Sequence, residues 1–522
     1  MLNKWEYFKK DVPSQKRIAA AALSGVLMFL SFPKFGNGLI AWFALVPLFY
    51  ALNGETPSQG FKSGFIAGFV AHAGIFYWIS FVVVDYGHLP LYVGIMVMLL
   101  LSAYLSIYTA CFAAGVVFLQ RRWNGFLLIA PLSWTVLEFI RSHIFTGFPW
   151  GNLAYSQYLN HKIIQIADIT GIYGISFVIV LVNLVVFETL KAGIANRRAA
   201  GKILFTVAVV LLTIFYGYFR VAEMEDSLAK TPCTEIALIQ GNIDQSIKWD
   251  PLYQNKTIDI YNTLSVDSGL EKGGVLVWPE TAAPFFFEQP GFLRKRVIDV
   301  AVKSGCSLLF GSPRHEEDDG EIFYMNSAYL VQPNGTVSGR YDKVHLVPYG
   351  EYIPLKSVFP FIDKFVTAIG DFRPGRGFIP LVNGDRRFGV LICYEGIFPE
   401  AARAYKRRGA DLLINITNDA WFGKSSAPYQ HLSMTVFRAV ENRLYLVRAA
   451  NTGITAFIDP LGAINAQTAL FTKTFLKGKV KFIDKRTFYA AYGNIFVYLC
   501  FLLLIASEFI HRRRTNNAGR NK

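Results

Sequence analysis

Cys393 closes an apolar run, residues 388–392, and is followed at once by Tyr394 and Glu395. Such a run reads as a buried strand that delivers its last residue to a strand-end loop, a common place to present a nucleophile. Two upstream stretches carry partners for it. Residues 275–281 form another strand-like run ending in Trp278, Pro279, Glu280 and Thr281, and residues 340–351 put Lys343 in a loop that closes on Glu351. A thiol is mostly protonated at neutral pH, so a carboxylate must accept its proton before it attacks an acyl carbon; Glu280 is the candidate base. Attack builds negative charge on the former carbonyl oxygen, which a fixed ammonium and a backbone N–H stabilise; Lys343 is the candidate cation. Taken singly, each has a plainer reading as a buried structural cysteine, a surface acid or a solvated lysine.

The elements that must position these residues alternate in type. Strand-like runs at 235–240, 274–278, 307–310, 388–392, 412–416, 445–449 and 454–458 are separated by polar or helical stretches, including helical candidates at 290–304 and 399–408. Pro333, Asn334 and Gly335, flanked by apolar alternation, predict a hairpin. The pattern predicts a layered α/β domain. A Glu, a Lys and a Cys in this order, each just after a β-like run, resemble the triad of the nitrilase superfamily of carbon-nitrogen hydrolases and acyltransferases, and that resemblance implies an αββα sandwich.

The rest of the chain is of another kind. It has 522 residues, 53% of them apolar and 15% aromatic, and its mean hydropathy is +0.33, too apolar for an ordinary soluble enzyme. Runs at 17–33, 38–53, 60–83, 89–119, 124–142, 163–190 and 201–220, with one more at 490–510, are each roughly long enough to cross a bilayer or to half-cross it at a tilt. The sequence therefore predicts a membrane domain of about seven transmembrane helices over 1–220, an α/β extracytoplasmic domain over 221–488, and a final transmembrane helix with a basic tail over 489–522. The first run lacks a small-x-small cleavage site and is not read as a signal peptide.

The net charge of +15 would suit a nucleic-acid binder, but its distribution argues otherwise. Lys4, Lys9, Lys10, Lys16 and Arg17 precede the first run; Arg121 and Arg122 follow the fourth; Lys191, Arg197, Arg198 and Lys202 follow the sixth; Arg512, Arg513 and Arg514 follow the last. With seven spans ahead of the large domain, all of these fall on one side, as the positive-inside rule requires of a cytoplasmic face, while the loop 84–88 on the other side is poor in Lys and Arg. Both termini are expected in the cytoplasm, and no nucleic acid is implied. Five cysteines make no disulfide framework, and Cys233 and Cys306, at the edges of strand-like runs, read as buried. Neither a zinc spacing of Cys and His nor a Gly-rich phosphate loop after a strand is present in the sequence, so no metal or other cofactor is implied.

Several motifs narrow the resemblance: Gln240, Gly241 and Asn242 with Lys248, Trp249, Asp250 and Pro251; Trp278 to Thr281; Lys343 to Glu351; Cys393, Tyr394 and Glu395; and Thr417 to Gly423. With a multi-span N-terminal half and one closing span, essentially the whole chain resembles the bacterial apolipoprotein N-acyltransferases. The resemblance implies a catalytic triad of Glu280, Lys343 and Cys393, with Trp249, Glu351, Tyr394 and Glu395 as further residues needed for activity. It implies transfer of a fatty acyl chain from a membrane phospholipid to the α-amino group of the diacylglyceryl-cysteine that begins an apolipoprotein. The setting it implies is a monomer in the bacterial inner membrane with its catalytic domain on the periplasmic side. Apolar segments at 284–287 and 357–362 could dip into lipid or could be core. The loop 148–152 looks familial too, though Trp150 reads equally as an interfacial anchor. Two rivals stand beside this reading: a membrane-tethered amidase, in which water takes the acyl group, and a transporter or receptor, disfavoured by how few ionisable residues, Glu138, Arg141 and Glu188 among them, the spans carry.

The charge asymmetry makes a topological prediction. A reporter active only outside the cytoplasm should work when fused near Gly320 and fail when fused after Arg514; cytoplasmic activity at Gly320 overturns the assignment.

Overall fold

The computed structural model describes residues 14–122, 127–193, 196–318, 320–352 and 372–520. The chain divides into two compact units, Met1–Val221 with Tyr492–Lys522, and Ala222–Ala491. In chain order the first unit holds α1 (Ser14–Leu30), α2 (Val46–Leu52), α3 (Pro57–Phe76), α4 (Ile79–Asp85), α5 (Leu91–Arg122), α6 (Ile129–His143), α7 (Ala167–Thr170), α8 (Ile172–Ala192) and most of α9 (Arg197–Lys230).

Among the described residues three helical stretches are long and apolar enough to cross a membrane: Leu91–Gln120, Ile172–Ala192 and Ala199–Lys230. The run expected at 60–83 is α3 plus α4, bent by 47° between them. The run at 38–53 is a 3-10 turn, Gly38–Trp42, followed by α2, which starts afresh with Pro47 in its first turn. The run at 163–190 becomes one helix only from Ile172, because Gly171 at φ +61° ends α7.

Close packing of α3 on α5 depends on Gly60, Gly64 and Gly68, one helical turn apart. A Cβ on Gly64 would lie 2.5 Å from the Ala113 Cβ and 2.6 Å from the Thr109 carbonyl oxygen. Such stripes of small residues let helix backbones approach where lipid offers no hydrophobic drive for association. Glu138 and Arg141 of α6 are buried: Glu138 accepts the Leu153 N–H at 2.7 Å, and Arg141 bonds His72 at 3.1 Å and the Asn152 side chain. These bonds tie the 148–153 loop to α6, so Trp150 is buried beside Trp78, 5.1 Å between ring centroids, and is not an exposed anchor.

The second unit holds β1 (Cys233–Gln240), α10 (Pro251–Asp267), β2 (Val275–Val277), α11 (Phe292–Ser304), β3 (Ser307–Asp318), β4 (Glu321–Val331), β5 (Val337–Asp342), β6 (Leu381–Asn383), β7 (Arg386–Ile392), α12 (Pro399–Arg407), β8 (Leu412–Thr417), α13 (Ala427–Asn442), β9 (Tyr445–Ala450), β10 (Ala456–Ile458), β11 (Ile464–Gln467) and β12 (Thr474–Lys481). A short α14 (Phe488–Tyr492) precedes α15 (Ile495–Arg520), which packs on α6 in the first unit, Cys500 lying with Leu132 and Val136. The expected span at 490–510 therefore starts at Ile495.

The strands form two six-stranded sheets, ordered β12-β1-β2-β3-β4-β5 and β11-β10-β9-β8-β7-β6. The central pairs β1/β2, β2/β3, β7/β8 and β8/β9 are parallel and the outer ones antiparallel. α10 and α11 cover the first sheet, α12 and α13 the second, and β1 faces β9, giving αββα layers. Covered on both sides, β2, β8 and β9 are buried along their whole length, which is why they read as mainly apolar runs, broken only by Asn415 in β8 and Arg448 in β9. The hairpin is present: Gly335 takes φ +85° and the Gln332 N–H donates to the Thr336 carbonyl at 2.8 Å. Cys306 is buried, but Cys233 is exposed at the first position of β1, where the chain has only begun to enter the sheet.

Gly64→Val should force α3 from α5 and destabilise the protein by about 1–3 kcal/mol. The expected result is a lower melting temperature in detergent; an unchanged one would show that the contact is not tight.

Candidate active site

Parallel strands gather their carboxyl ends at one edge, and the residues of interest leave from there. β2 runs into Glu280, β7 into Cys393 and β8 into Asn418 and Asp419, while Lys343 follows β5. Cys393 sits at φ +52°, a left-handed conformation that a non-glycine residue adopts only when its surroundings impose it.

Three groups impose it. Glu395, buried, accepts the Ile392 N–H at 2.8 Å on one oxygen; on the other it accepts the Tyr341 hydroxyl at 2.7 Å and the Val344 and His345 N–H groups at 2.8 and 3.0 Å. It thereby ties the Cys393 corner to the lysine loop. Asn415 of β8 donates to the Leu391 carbonyl at 2.9 Å and the Cys393 carbonyl at 3.3 Å. His431 of α13 reaches the Cys393 carbonyl through Nε2 at 3.1 Å. A carbonyl only accepts, so Nε2 carries the proton. Burial, then Arg448, hold the ring below its usual pKa, so its Nδ1 accepts from Arg448 at 3.1 Å. Arg448 also binds the Asp419 carboxylate at 2.6 Å and the Asn415 side chain, all of them fully buried. Burial works to raise the Asp419 carboxyl, but Arg448 outweighs it and holds it well below its usual range.

The charged groups form one cluster. Lys343 Nζ lies 2.8 Å from the Glu351 carboxylate, and Glu351 is held by the Val347 N–H at 2.9 Å. The Asn326 amide bridges Glu280 at 2.7 Å and Glu351 at 3.1 Å, and the Asn418 N–H donates to the other Glu280 oxygen at 2.8 Å. Cys393 interacts electrostatically with Glu280, Lys343 and Asp419. Burial, then Glu280, push its thiol well up, against Lys343 and the Thr417 hydroxyl. Burial also raises the Glu280 carboxyl, opposed first by Lys343, while Glu351 and Glu280 overcome burial to keep Lys343 a firm cation. A protonated thiol, a carboxylate moved toward neutral pH and a permanent cation can deprotonate a nucleophile during attack and hold the oxyanion that results.

Structure thus brings together Glu280, Lys343, Glu351, Cys393 and Glu395, with Tyr394 buried against Phe398 at 5.0 Å and close enough to feel Lys343. Trp249 stands apart from the hydrogen-bonded cluster. It is 50% exposed and lines a cavity of about 500 Å³ with Pro284, Phe285, Phe286, Tyr324 and Phe372. Phe287 belongs to the core, 4.8 Å from Phe310, and the 357–362 segment lies outside the described residues. Sequence reasoning missed Asn326, which interrupts the apolar run of β4, and the buried Arg448, which interrupts that of β9; a polar residue inside such a run was the available signal.

Comparisons with known proteins cover both portions of the chain. Residues 24–185 match the apolipoprotein N-acyltransferase N-terminal domain and residues 235–484 the carbon-nitrogen hydrolase domain. A curated apolipoprotein N-acyltransferase of Geobacter metallireducens is 47% identical over 94% of this chain and 94% of its own length. The chain belongs to the apolipoprotein N-acyltransferase family. Relatives of the same name from Pasteurella multocida and Haemophilus influenzae are 32% and 31% identical, covering 97% and 95% of this chain and 98% and 95% of their own. As a member of the apolipoprotein N-acyltransferases it is an enzyme of the N-acyltransferase and carbon-nitrogen hydrolase class, and its α/β unit is nitrilase-like.

Arg448→Met should leave Asp419 as an unpaired buried charge and cost about 3–5 kcal/mol of stability. Chemical denaturation should show that loss, partly recovered in Arg448→Met/Asp419→Asn. Because the Asp419 carboxyl is depressed on folding, its contribution is complete above the ordinary aspartate range, about pH 4, and fades as pH falls below it. The double variant should lose that part of the acid sensitivity, and an unchanged acid limb would remove Asp419 from the account.

Proposed function

We propose that the protein transfers a fatty acyl chain from a membrane phospholipid to the free α-amino group of the diacylglyceryl-cysteine at the start of an apolipoprotein. The observation that carries this reading is the burial of the Cys393 thiol, 8% exposed, among Glu280, Lys343 and Glu351 in a family member whose first unit is made of apolar helices. Glu280 acts as base, Lys343 as oxyanion cation and Cys393 as nucleophile. Glu351 holds Lys343, Glu395 holds the nucleophile's corner, and Trp249 with Tyr394 contact the lipid substrates and keep water out.

The reaction runs in two halves. In the first, Glu280 takes the thiol proton as sulfur attacks the ester carbonyl; the ester C–O bond breaks, the proton passes to the leaving oxygen, and lysophospholipid departs from an acyl-thioester. In the second, the lipoprotein amine attacks the thioester, Glu280 takes the amine proton and returns it to sulfur, and the amide leaves. Both substrates are bulky and lipid-anchored, so seating them in turn at one thiol is simpler than seating them together. The protein works as a multi-pass monomer of the bacterial inner membrane, with residues 1–220 and 489–522 providing the transmembrane helices. Residues 221–488 stand on the periplasmic side and both termini are cytoplasmic, a reading that the Lys and Arg distribution supports.

Incubation with phospholipid alone should add the mass of one acyl chain to the Cys393 peptide, labile to hydroxylamine and absent in Cys393→Ala. A diacylglyceryl peptide should discharge it as amide. If the adduct drains to free fatty acid at one rate with or without the peptide, a tethered hydrolase is the correct reading.

A further inference from the structure

Lys248 is a second lysine in this cluster that the proposed chemistry does not use. It is only 1% exposed, yet among the described residues its Nζ is hydrogen-bonded to no carboxylate: it donates to the Glu280 main-chain carbonyl at 3.2 Å and to the Thr281 hydroxyl. Those acceptors belong to a strained corner. Thr281 is β-branched and takes φ +47°, where such a residue is an outlier. From the other side the corner rests on Gly311 of β3, where a Cβ would sit 2.4 Å from the Thr281 nitrogen and 2.8 Å from the Glu280 Cα. The Gly311 N–H donates to the Pro279 carbonyl at 3.1 Å.

We propose that Lys248 is a positioning residue for Glu280: its ammonium clamps the left-handed Thr281 corner against Gly311, and so fixes where the Glu280 carboxylate meets the Cys393 thiol. Without the clamp, Thr281 relaxes toward an ordinary backbone conformation and carries the carboxylate off Asn326 and the Asn418 N–H. Lys248 also adds positive charge near Glu280 and Cys393; burial lowers its pKa to about 8 and those two groups hold it up. Its chain neighbour Trp249 lines the apolar cavity, so one short segment reaches both the cavity and the base.

This inference rests on the proposed roles of Glu280 and Cys393, and one measurement separates the two. The single-turnover rate of Cys393 acylation is followed with full-length protein in mixed micelles of phosphatidylethanolamine and phosphatidylglycerol. Lys248→Met should slow it by roughly 10²-fold while the donor concentration at half-saturation changes less than about 3-fold, the pattern of a lost transition-state alignment. Its acid limb reports Glu280, which is faced by Lys343, Glu351, Cys393 and Lys248. That limb should move up by about half a pH unit or more, because a cation and two hydrogen bonds to the carboxylate are weakened together. Thr281→Gly placed on Lys248→Met should restore the rate at least tenfold, since glycine takes φ +47° without strain. Should Lys248→Met fail to fold, Thr281→Val removes one Lys248 acceptor at constant shape and should slow acylation about tenfold. An unchanged rate and acid limb in the folded variants, or no rescue by glycine, overturns the positioning role. A wild-type protein that forms no Cys393 adduct at all overturns the functional reading instead.

Discussion

A thiol, three carboxylates and two lysines lie largely buried together, and the rest of the α/β unit depends on keeping them there. In a medium of low effective dielectric, an unmatched charge is costly and a matched one strongly oriented. Each group is therefore held by the others: Glu351 neutralises Lys343, one Asn326 amide serves both Glu280 and Glu351, and Glu395 is saturated by donors from the strand that leads to Cys393 and from the lysine loop.

The sandwich meets that demand by aiming the ends of parallel strands at one place and bending them sharply. Cys393, Thr281 and Asn242 all take positive φ at those ends. Such corners persist only where neighbours over-determine them. Behind Cys393 the work falls to Arg448, Asp419, His431 and Asn415, a polar hub with no exposed atom of consequence. Behind Glu280 it falls to Gly311 and Lys248. In the helical unit, Arg141 and Glu138 likewise hold a loop, so these two buried ionisable groups have partners within the unit.

Several strands were legible because strands buried on both faces are mostly apolar, and the runs at 235–240, 388–392, 412–416 and 445–449 are all strands. Helices α10 and α13 were not recognised: α10 mixes polar and apolar residues without a clean stripe, and α13 carries Arg438, Glu441 and Asn442 among its buried residues. Hydropathy located the apolar runs of the first unit but not their breaks, because a window average does not register one glycine at φ +61° or a proline that restarts a helix.

By itself the sequence determined the candidate nucleophile, base and cation, and the division into apolar and α/β portions, because residue type and apolar run length are local properties of the chain. Tertiary structure alone decided that Asn326, from another strand, bridges Glu280 and Glu351, that Arg448 and His431 stand behind Cys393, and that Lys248 grips the corner carrying Glu280. Those contacts join residues far apart in the chain. Their strength comes from exclusion of water, which exists only once both sheets and their helices have closed over them.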